Sequence, residues 1–417
     1  MIRLVAAAAC LAPLAVCPTV LGQFVGSAAP PGTQFSSNVK VSRQNQIVAV
    51  GISASAVTIW DPAAGVVLGA TPAPGFSTIF PEALTADGTG LIGSMNVSGG
   101  TRAPFFWTPT AGTIDLTGLI APASAQPRLS DVSVPSPGIP GALVGDLIVA
   151  TPMGNAVQAF TLPIGVGPIV IGDLPGGPNS SIAVAVDASG QFTACDGNTA
   201  SGPEAFRHDL ATGALTPLGV LSTATSVSNA ADISSDGSTV VGFSLDAAGL
   251  PQAFRWTAAT GMVSLGTLPG GLFSFAMATN TDGSIVVGLG DDATGTTRAW
   301  IWTQRCGAMR DLQTEIITVY GQTNAAGWTL TSADGMSDTG FVAGIGTDPA
   351  GNIQVWTSQI ARCWADFNGD GMLSPADVVA FNAAFLAGSL RADCDCDGLL
   401  TVADFTCFNA EFAAGCP

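Results

Sequence analysis

Between residues 23 and 362 the chain repeats itself. AADISSDGSTVVGFS from Ala230 returns as AMATNTDGSIVVGLG from Ala276, and QAFRWTAATGMVSLG from Gln252 returns as RAWIWTQRCGAMRDL from Arg298, each 46 residues later. A bulky residue closes the third apolar run of each unit at Trp60, Trp107, Leu162, His208, Trp256, Trp302 and Trp356, which marks seven units spaced 46 to 55 residues apart. Leu174-Pro175-Gly176-Gly177 and Leu268-Pro269-Gly270-Gly271 lie 94 residues apart, two periods, and read as one inter-unit turn. A period of this length makes each unit one supersecondary element that must bury its apolar face against its neighbours.

The runs inside a unit are short, β-branched and aromatic, and they are punctuated by Asp-Gly and Pro, which is a strand signature. In the unit 276–312 the pattern predicts strands over 276–280, 285–288, 299–302 and 308–312. Four short antiparallel strands in a period of about 40 to 50 residues describe a propeller blade. One such sheet leaves both faces open, whereas seven stacked face to face cover them. The expected fold is therefore all-β, a seven-bladed β-propeller over residues 23–362. Paired β-sandwiches and an irregular β-solenoid are the competing layouts. The units resemble the HAF-type extracellular repeat, with its glycine-rich strand, aromatic-Trp-Thr strand and Leu-Gly strand. That family's leading histidine is replaced here by Gln252-Ala253-Phe254 and Arg298-Ala299-Trp300. The resemblance implies a fold and no particular chemistry.

Residues 363–417 are of another kind. DFNGDGMLSPAD from Asp366 and DCDCDGLLTVAD from Asp393 each place an oxygen-bearing residue at positions 1, 3, 5, 9 and 12 and glycine at position 6. That spacing wraps a loop around a hard cation: side-chain oxygens at 1, 3 and 5, a carbonyl at 7 and a carboxylate at 12. The candidate ligands of the first loop are Asp366, Asn368, Asp370, Met372 through its carbonyl, Ser374 and Asp377. Those of the second are Asp393, Asp395, Asp397, Leu399 through its carbonyl, Thr401 and Asp404. Two Asp-Gly turns in a solvated acidic tail are the local alternative. The 27-residue register also carries Phe381 onto Phe408 and Phe385 onto Phe412. Ser374 and Thr401 stand where an N-cap is wanted, with Pro375 at the first helical position. A short amphipathic helix follows each loop, with Val378, Phe381 and Phe385 on one face and Phe405, Phe408 and Phe412 on the other's.

Loop then helix, twice and with no entering helix, resembles the Cys-bearing dockerin domain, a double F-hand. The resemblance implies two Ca²⁺ sites and a cohesin-like receptor or cell-surface protein as partner. It departs at loop positions 10 and 11, which hold Pro375-Ala376 and Val402-Ala403.

Function classes narrow with composition. Only 10% of residues are charged, and the net charge of −18 argues against nucleic acid or anionic membrane. Residues 1–22 read as a secretory signal: Arg3, an apolar run over 4–16, and Val20-Leu21-Gly22 before Gln23. The run is too short to span a bilayer. The mature chain is then expected outside the cell, either free or attached to its surface. Seven cysteines remain in it, five of them in the tail, and in an exported chain they read as disulfides. Cys363 and Cys416 bracket the tail, and a bond there restricts the unfolded chain by about 4 kcal/mol on the loop-entropy model. One thiol is left over, with Cys195 and Cys306 as candidates.

Catalytic patterns are sparse. The single histidine, His208, stands in a column otherwise held by Trp or Leu. Asp87, Asp236, Asp282 and Asp338 fall in hairpin turns, and in the first three the acid is followed directly by glycine, which a tight turn requires on local grounds. The expectation is a secreted, non-catalytic binding protein whose propeller takes a carbohydrate or protein ligand. A polysaccharide hydrolase or lyase and a structural envelope protein are the alternatives.

Overall fold

The computed structural model describes residues 24–26, 39–44, 48–53, 56–61, 66–97, 102–120, 126–133, 141–151, 154–163, 166–360, 364–368 and 372–415. The signal segment, Cys363, Cys416 and Asp370 lie outside them.

Six sheets each consist of four consecutive antiparallel strands. Sheet 1 runs from Val39–Val41 through Val48–Ser53 and Ala56–Asp61 to Val66–Ala70, and sheet 2 from Phe76–Leu84 through Leu91–Val97 and Arg102–Thr108 to Gly112–Asp115. Sheet 3 comprises Arg128–Val132, Ala142–Thr151, Gly154–Pro163 and Ile169–Gly172, and sheet 4 Ile182–Val186, Phe192–Thr199, Gly202–Asp209 and Ala214–Pro217. Sheet 5 comprises Ser228–Ile233, Thr239–Leu245, Pro251–Thr257 and Gly261–Gly266, and sheet 6 Ser274–Thr279, Ile285–Asp291, Thr297–Thr303 and Met309–Asp311. A seventh sheet draws on both ends of the chain. Phe341–Thr347 pairs with Thr329–Leu330, Gly335–Met336 and Ile353–Gln359, and the N-terminal Val25–Gly26 adds the outer edge with Val25 opposite Thr357. The ring cannot open at this point without breaking that pairing. The first strands of sheets 1 to 6 and the segment 334–336 at the seventh surround one narrow cavity, touched by Lys40, Glu82, Asp131, Val184, Asp232, Met277 and Asp334. This is a β-propeller.

A single structural position explains the glycine-rich strand of each unit. In sheets 2 to 6 the first strand carries an extra residue at one shared place, with register slips at Pro81/Ala83, Leu129/Asp131, Ala183/Ala185, Ala230/Asp232 and Ala276/Ala278, and sheet 2 has a second slip at Phe76/Thr78. A bulge re-aims its extra side chain, and Glu82, Ser130, Val184, Ala231 and Met277 all line the cavity. The bulging strand pushes a carbonyl against the second strand. A Cβ at Gly242 would come within 2.0 Å of the Asn229 oxygen, and one at Gly145 within 1.8 Å of the Arg128 oxygen. Gly93, Gly288 and Gly344 meet the same obstacle. The third strand covers each glycine with a ring: Phe105, Phe160, Phe254, Trp300 and Trp356 pair with Gly93, Gly145, Gly242, Gly288 and Gly344. In sheet 4 Phe206 faces Cys195 instead. All six rings are fully buried, and each contributes about 150–250 Å² to the interface between sheets.

This core column corrects the bulky positions used to count the repeats. Trp107, Leu162, His208, Trp256 and Trp302 share one register, two residues beyond the core aromatic. Trp356 occupies the core column itself. Trp60, opposite Val48, is one residue past Ile59, which is the true equivalent. One residue of slip flips a side chain to the other face. Trp60 accordingly packs with Val39, Val48 and Phe341 toward sheet 7, while Ile59 packs toward sheet 2. The Leu-Pro-Gly-Gly turns do fall between consecutive sheets, as expected.

Among the described residues, helices lie outside the sheets. α1 (Thr117–Ile120) and α2 (Leu312–Thr318) follow sheets 2 and 6. Asp115 and Asp311, the two acids of the last-strand column, accept from Thr117 N at 2.8 Å and Thr314 N at 2.7 Å. α3 (Pro375–Leu386) and α4 (Val402–Ala414) form the C-terminal module. Phe367, Phe381, Ala392 and Phe408 are its buried centre, with Trp364, Val378, Phe385, Phe405 and Phe412 around them. The Phe381 and Phe408 rings stack at 4.2 Å. No helix among the described residues is long and apolar enough to cross a membrane.

Candidate metal centre

Each acidic loop is tied to the helix after it by its last carboxylate. Ser374 and Thr401 cap α3 and α4, and Asp377 and Asp404 complete capping boxes. Asp377 accepts from Asn368 N at 3.0 Å through one oxygen and from Ser374 N at 2.8 Å through the other. Asp404 repeats this 27 residues on, accepting from Asp395 N at 3.4 Å and Thr401 N at 2.7 Å, with Cys394 N added at 2.6 Å. Both carboxylates are fully buried. A buried carboxylate must be hydrogen-bonded or paired to be tolerated, and here the loop's own N–H groups serve. Ser374 and Thr401, expected as ligands, act in this structure as caps. The Met372 and Leu399 side chains are exposed, as suits residues that would offer only carbonyls.

The second loop brings three of its expected ligands together. Oxygens of Asp393, Asp395 and Asp397 lie within 4.8 Å of one another. Gly398 N donates to Asp393 Oδ2 at 2.9 Å, while Oδ1 of the same carboxylate is buried and has no hydrogen-bond partner among the described residues. Burial raises the Asp393 carboxyl above its ordinary range, and the charges of Asp404, Asp395 and Asp397 push in the same direction against the Gly398 bond. An orphaned oxygen amid like charges needs a proton or a cation. The donors are all hard oxygens, which suits Ca²⁺ or Mg²⁺ rather than a thiolate-seeking metal. In the first loop Asp366 and Asn368 are half-buried, and Asp370 lies outside the described residues.

The cysteines of this loop alternate with its carboxylates. Cys394 is bonded to Cys407 in α4, and Cys396 to Cys306 in the turn after the third strand of sheet 6. Among the described cysteines the free thiol is Cys195, which is buried. Burial, helped by nearby Asp196, holds that thiol well above its ordinary pKa, so it is a poor nucleophile. The two disulfides belong with an oxidising compartment.

The propeller cavity is the other gathering of charge, and sequence reasoning missed it. The chain's one lysine, Lys40, lines it with Arg43, Glu82, Asp131, Asp232 and Asp334. Arg43 reaches across the ring and donates to Ile233 O at 3.2 Å, Ser235 Oγ at 2.9 Å and Val186 O at 3.1 Å. It is also 3.4 Å from Asp232 and 3.7 Å from Asp131. Those two carboxylates staple adjacent sheets: Asp131 accepts from Val132 N and Val186 N, and Asp232 from Ile233 N and Thr279 N, at 2.8 to 2.9 Å. Burial raises Asp232 to about 6 in spite of Arg43, and raises Asp334 to about 7. The cavity encloses about 100 Å³, room for a few waters. A lone lysine in a chain of 417 residues was the only signal in the sequence.

His208 is buried in the third strand of sheet 4, and its Nδ1 has no partner among the described residues. Asp87 and Asp236 accept from Thr89 N and Ser238 N within their own turns, and Asp282 from Ser284 N. Asp338 instead takes the Ser235 hydroxyl at 2.6 Å, beside Arg43.

No protein-family model matches this chain, and no curated protein does. Solved structures do. An oligogalacturonate lyase from Vibrio parahaemolyticus superimposes with a TM-score of 0.54 at 11% identity, over 82% of this chain and 97% of that one. An oligogalacturonate lyase in complex with manganese gives 0.52 at 13%, over 82% and 97%. A putative TolB from Agrobacterium tumefaciens gives 0.43 at 15%, over 74% and 99%. At such identities the lyase likeness shows the fold alone, a β-propeller.

Proposed function

We propose that this is an exported, non-catalytic binding protein: a seven-bladed propeller, counting the sheet shared by both termini as a blade, held in place by a dockerin-like calcium module. The observation that carries the reading is the Asp393, Asp395 and Asp397 cluster with its buried, unpartnered oxygen, set in a loop whose helix-capped design recurs 27 residues apart. Calcium at both loops would order the module's docking face, and a cohesin-like or cell-surface protein would be its receptor. The dockerin and HAF resemblances, the domain limits at 22 and 362, and the surface localisation belong to this proposal.

The propeller supports a binding role because two of its cavity carboxylates, Asp131 and Asp232, are engaged by backbone N–H groups and Arg43 and so serve to join the sheets. Its ligand, a carbohydrate or a protein, would then meet an outer surface. The test is capture of envelope proteins by the full chain with calcium and with chelator, alongside calcium calorimetry. Two calcium ions bound per chain and chelator-sensitive capture are expected. Turnover of a polysaccharide by the same preparation overturns the non-catalytic reading in favour of a hydrolase or lyase.

A further inference from the structure

Among the described residues neither acidic loop is preceded by a helix of its own, so something else must hold its entry. Between α3, which belongs to the first loop, and Asp393 there is only the short 3₁₀ segment Leu390–Ala392. We infer that the turn after the third strand of sheet 6 supplies the missing wall, with Arg305 and Cys306 as positioning residues for the second cation site. The inference rests on the calcium reading above.

Four observations converge. Cys306 is disulfide-bonded to Cys396, 90 residues away, between ligand positions Asp395 and Asp397. Cys396 has φ of 61°, a left-handed conformation rarely adopted without glycine, and its cross-link anchors the loop at that point. The Arg305 guanidinium donates to the Cys394 carbonyl and lies 3.5 Å from that of Asp393. It also covers the Trp364 ring at 4.4 Å, which joins it to the module's aromatic centre.

The alternation of the loop explains why these contacts and the cation do not compete. Carboxylates at 393, 395 and 397 converge on one another, while Cys394 and Cys396 between them are bonded to α4 and to the propeller. Three converging carboxylates repel, and a loop left to itself would relax them apart. Anchoring their backbone to a rigid sheet lowers the ordering cost of closing on a cation, which is the usual source of gain from preorganisation. The module is therefore part of the propeller's surface, and the Arg305 side of its second loop is closed to any receptor.

Full-length protein tests this by calcium calorimetry in an Asp366→Ala background, where only the second loop titrates. Arg305→Gln and, separately, the Cys306→Ser/Cys396→Ser pair are each expected to weaken that site about tenfold, the lower end for losing a supporting partner. The first loop, titrated in an Asp393→Ala background, should be unchanged, which a general folding defect would not allow. Hydrogen exchange at amides 394–399 without calcium should rise in both variants. Second-loop affinity within twofold of the parent in both variants, with exchange unchanged, sinks this inference and leaves the calcium reading standing. A parent chain that binds no calcium sinks both.

Discussion

The ring and the tail handle carboxylates in opposite ways. In the ring Asp131, Asp196 and Asp232 are buried or half-buried, and each accepts a backbone N–H from the neighbouring sheet, so they act as staples. In the tail, Asp393, Asp395 and Asp397 crowd together and one oxygen of Asp393 is left unmet. The number of acids in a region therefore says little about its role; what matters is whether the fold already engages them. The ring engages Asp131, Asp196 and Asp232, and the Asp393, Asp395 and Asp397 cluster of the tail leaves a place for a cation.

The largest test of that contrast is Arg43→Met. It strips the one guanidinium that faces Asp131 and Asp232 inside the ring, and breaking a buried pair costs about 3 kcal/mol or more. Chemical denaturation should show that loss, while calcium binding at the tail stays as in the parent. If calcium affinity falls in step with ring stability, the two regions do not act separately.

Gly242→Ala comes next. The new methyl would meet the Asn229 carbonyl, and such overpacking costs about 2 kcal/mol. The same measurement should detect it, again without change in cation binding at the tail. Stability equal to the parent would show that the bulge can yield, and would remove the reason given for the glycine column.

The smallest effect is expected at His208. Burial depresses its pKa, so the imidazole takes up a proton more readily unfolded than folded. Stability from this residue is full above the ordinary imidazole range and declines as pH falls through it. His208→Leu, the residue that sheet 3 carries at this position, should gain about 1 kcal/mol by removing an unpartnered buried nitrogen. It should also flatten the stability profile between about pH 7 and 5. An unchanged profile would mean that folding does not depress the His208 pKa.

Much of this was legible in the sequence where the cause is local. The 46-residue period specified repeated four-stranded sheets, because each strand and turn is set by its neighbours in the chain. The loop spacing likewise placed Asp393, Asp395 and Asp397 together and capped α3 and α4 with Ser374 and Thr401. The aromatic column was misread at Trp60 and Trp356, because a strand's two faces differ by one residue and only pairing reveals which is which. Three things belong to the tertiary structure alone. It sets Arg43 across the ring from Val186 and Ile233, closes the seventh sheet with Val25–Gly26, and joins Cys306 to Cys396. Each links residues 90 or more positions apart. No local pattern encodes such a pairing, since it arises only when the sheets have already closed into a ring.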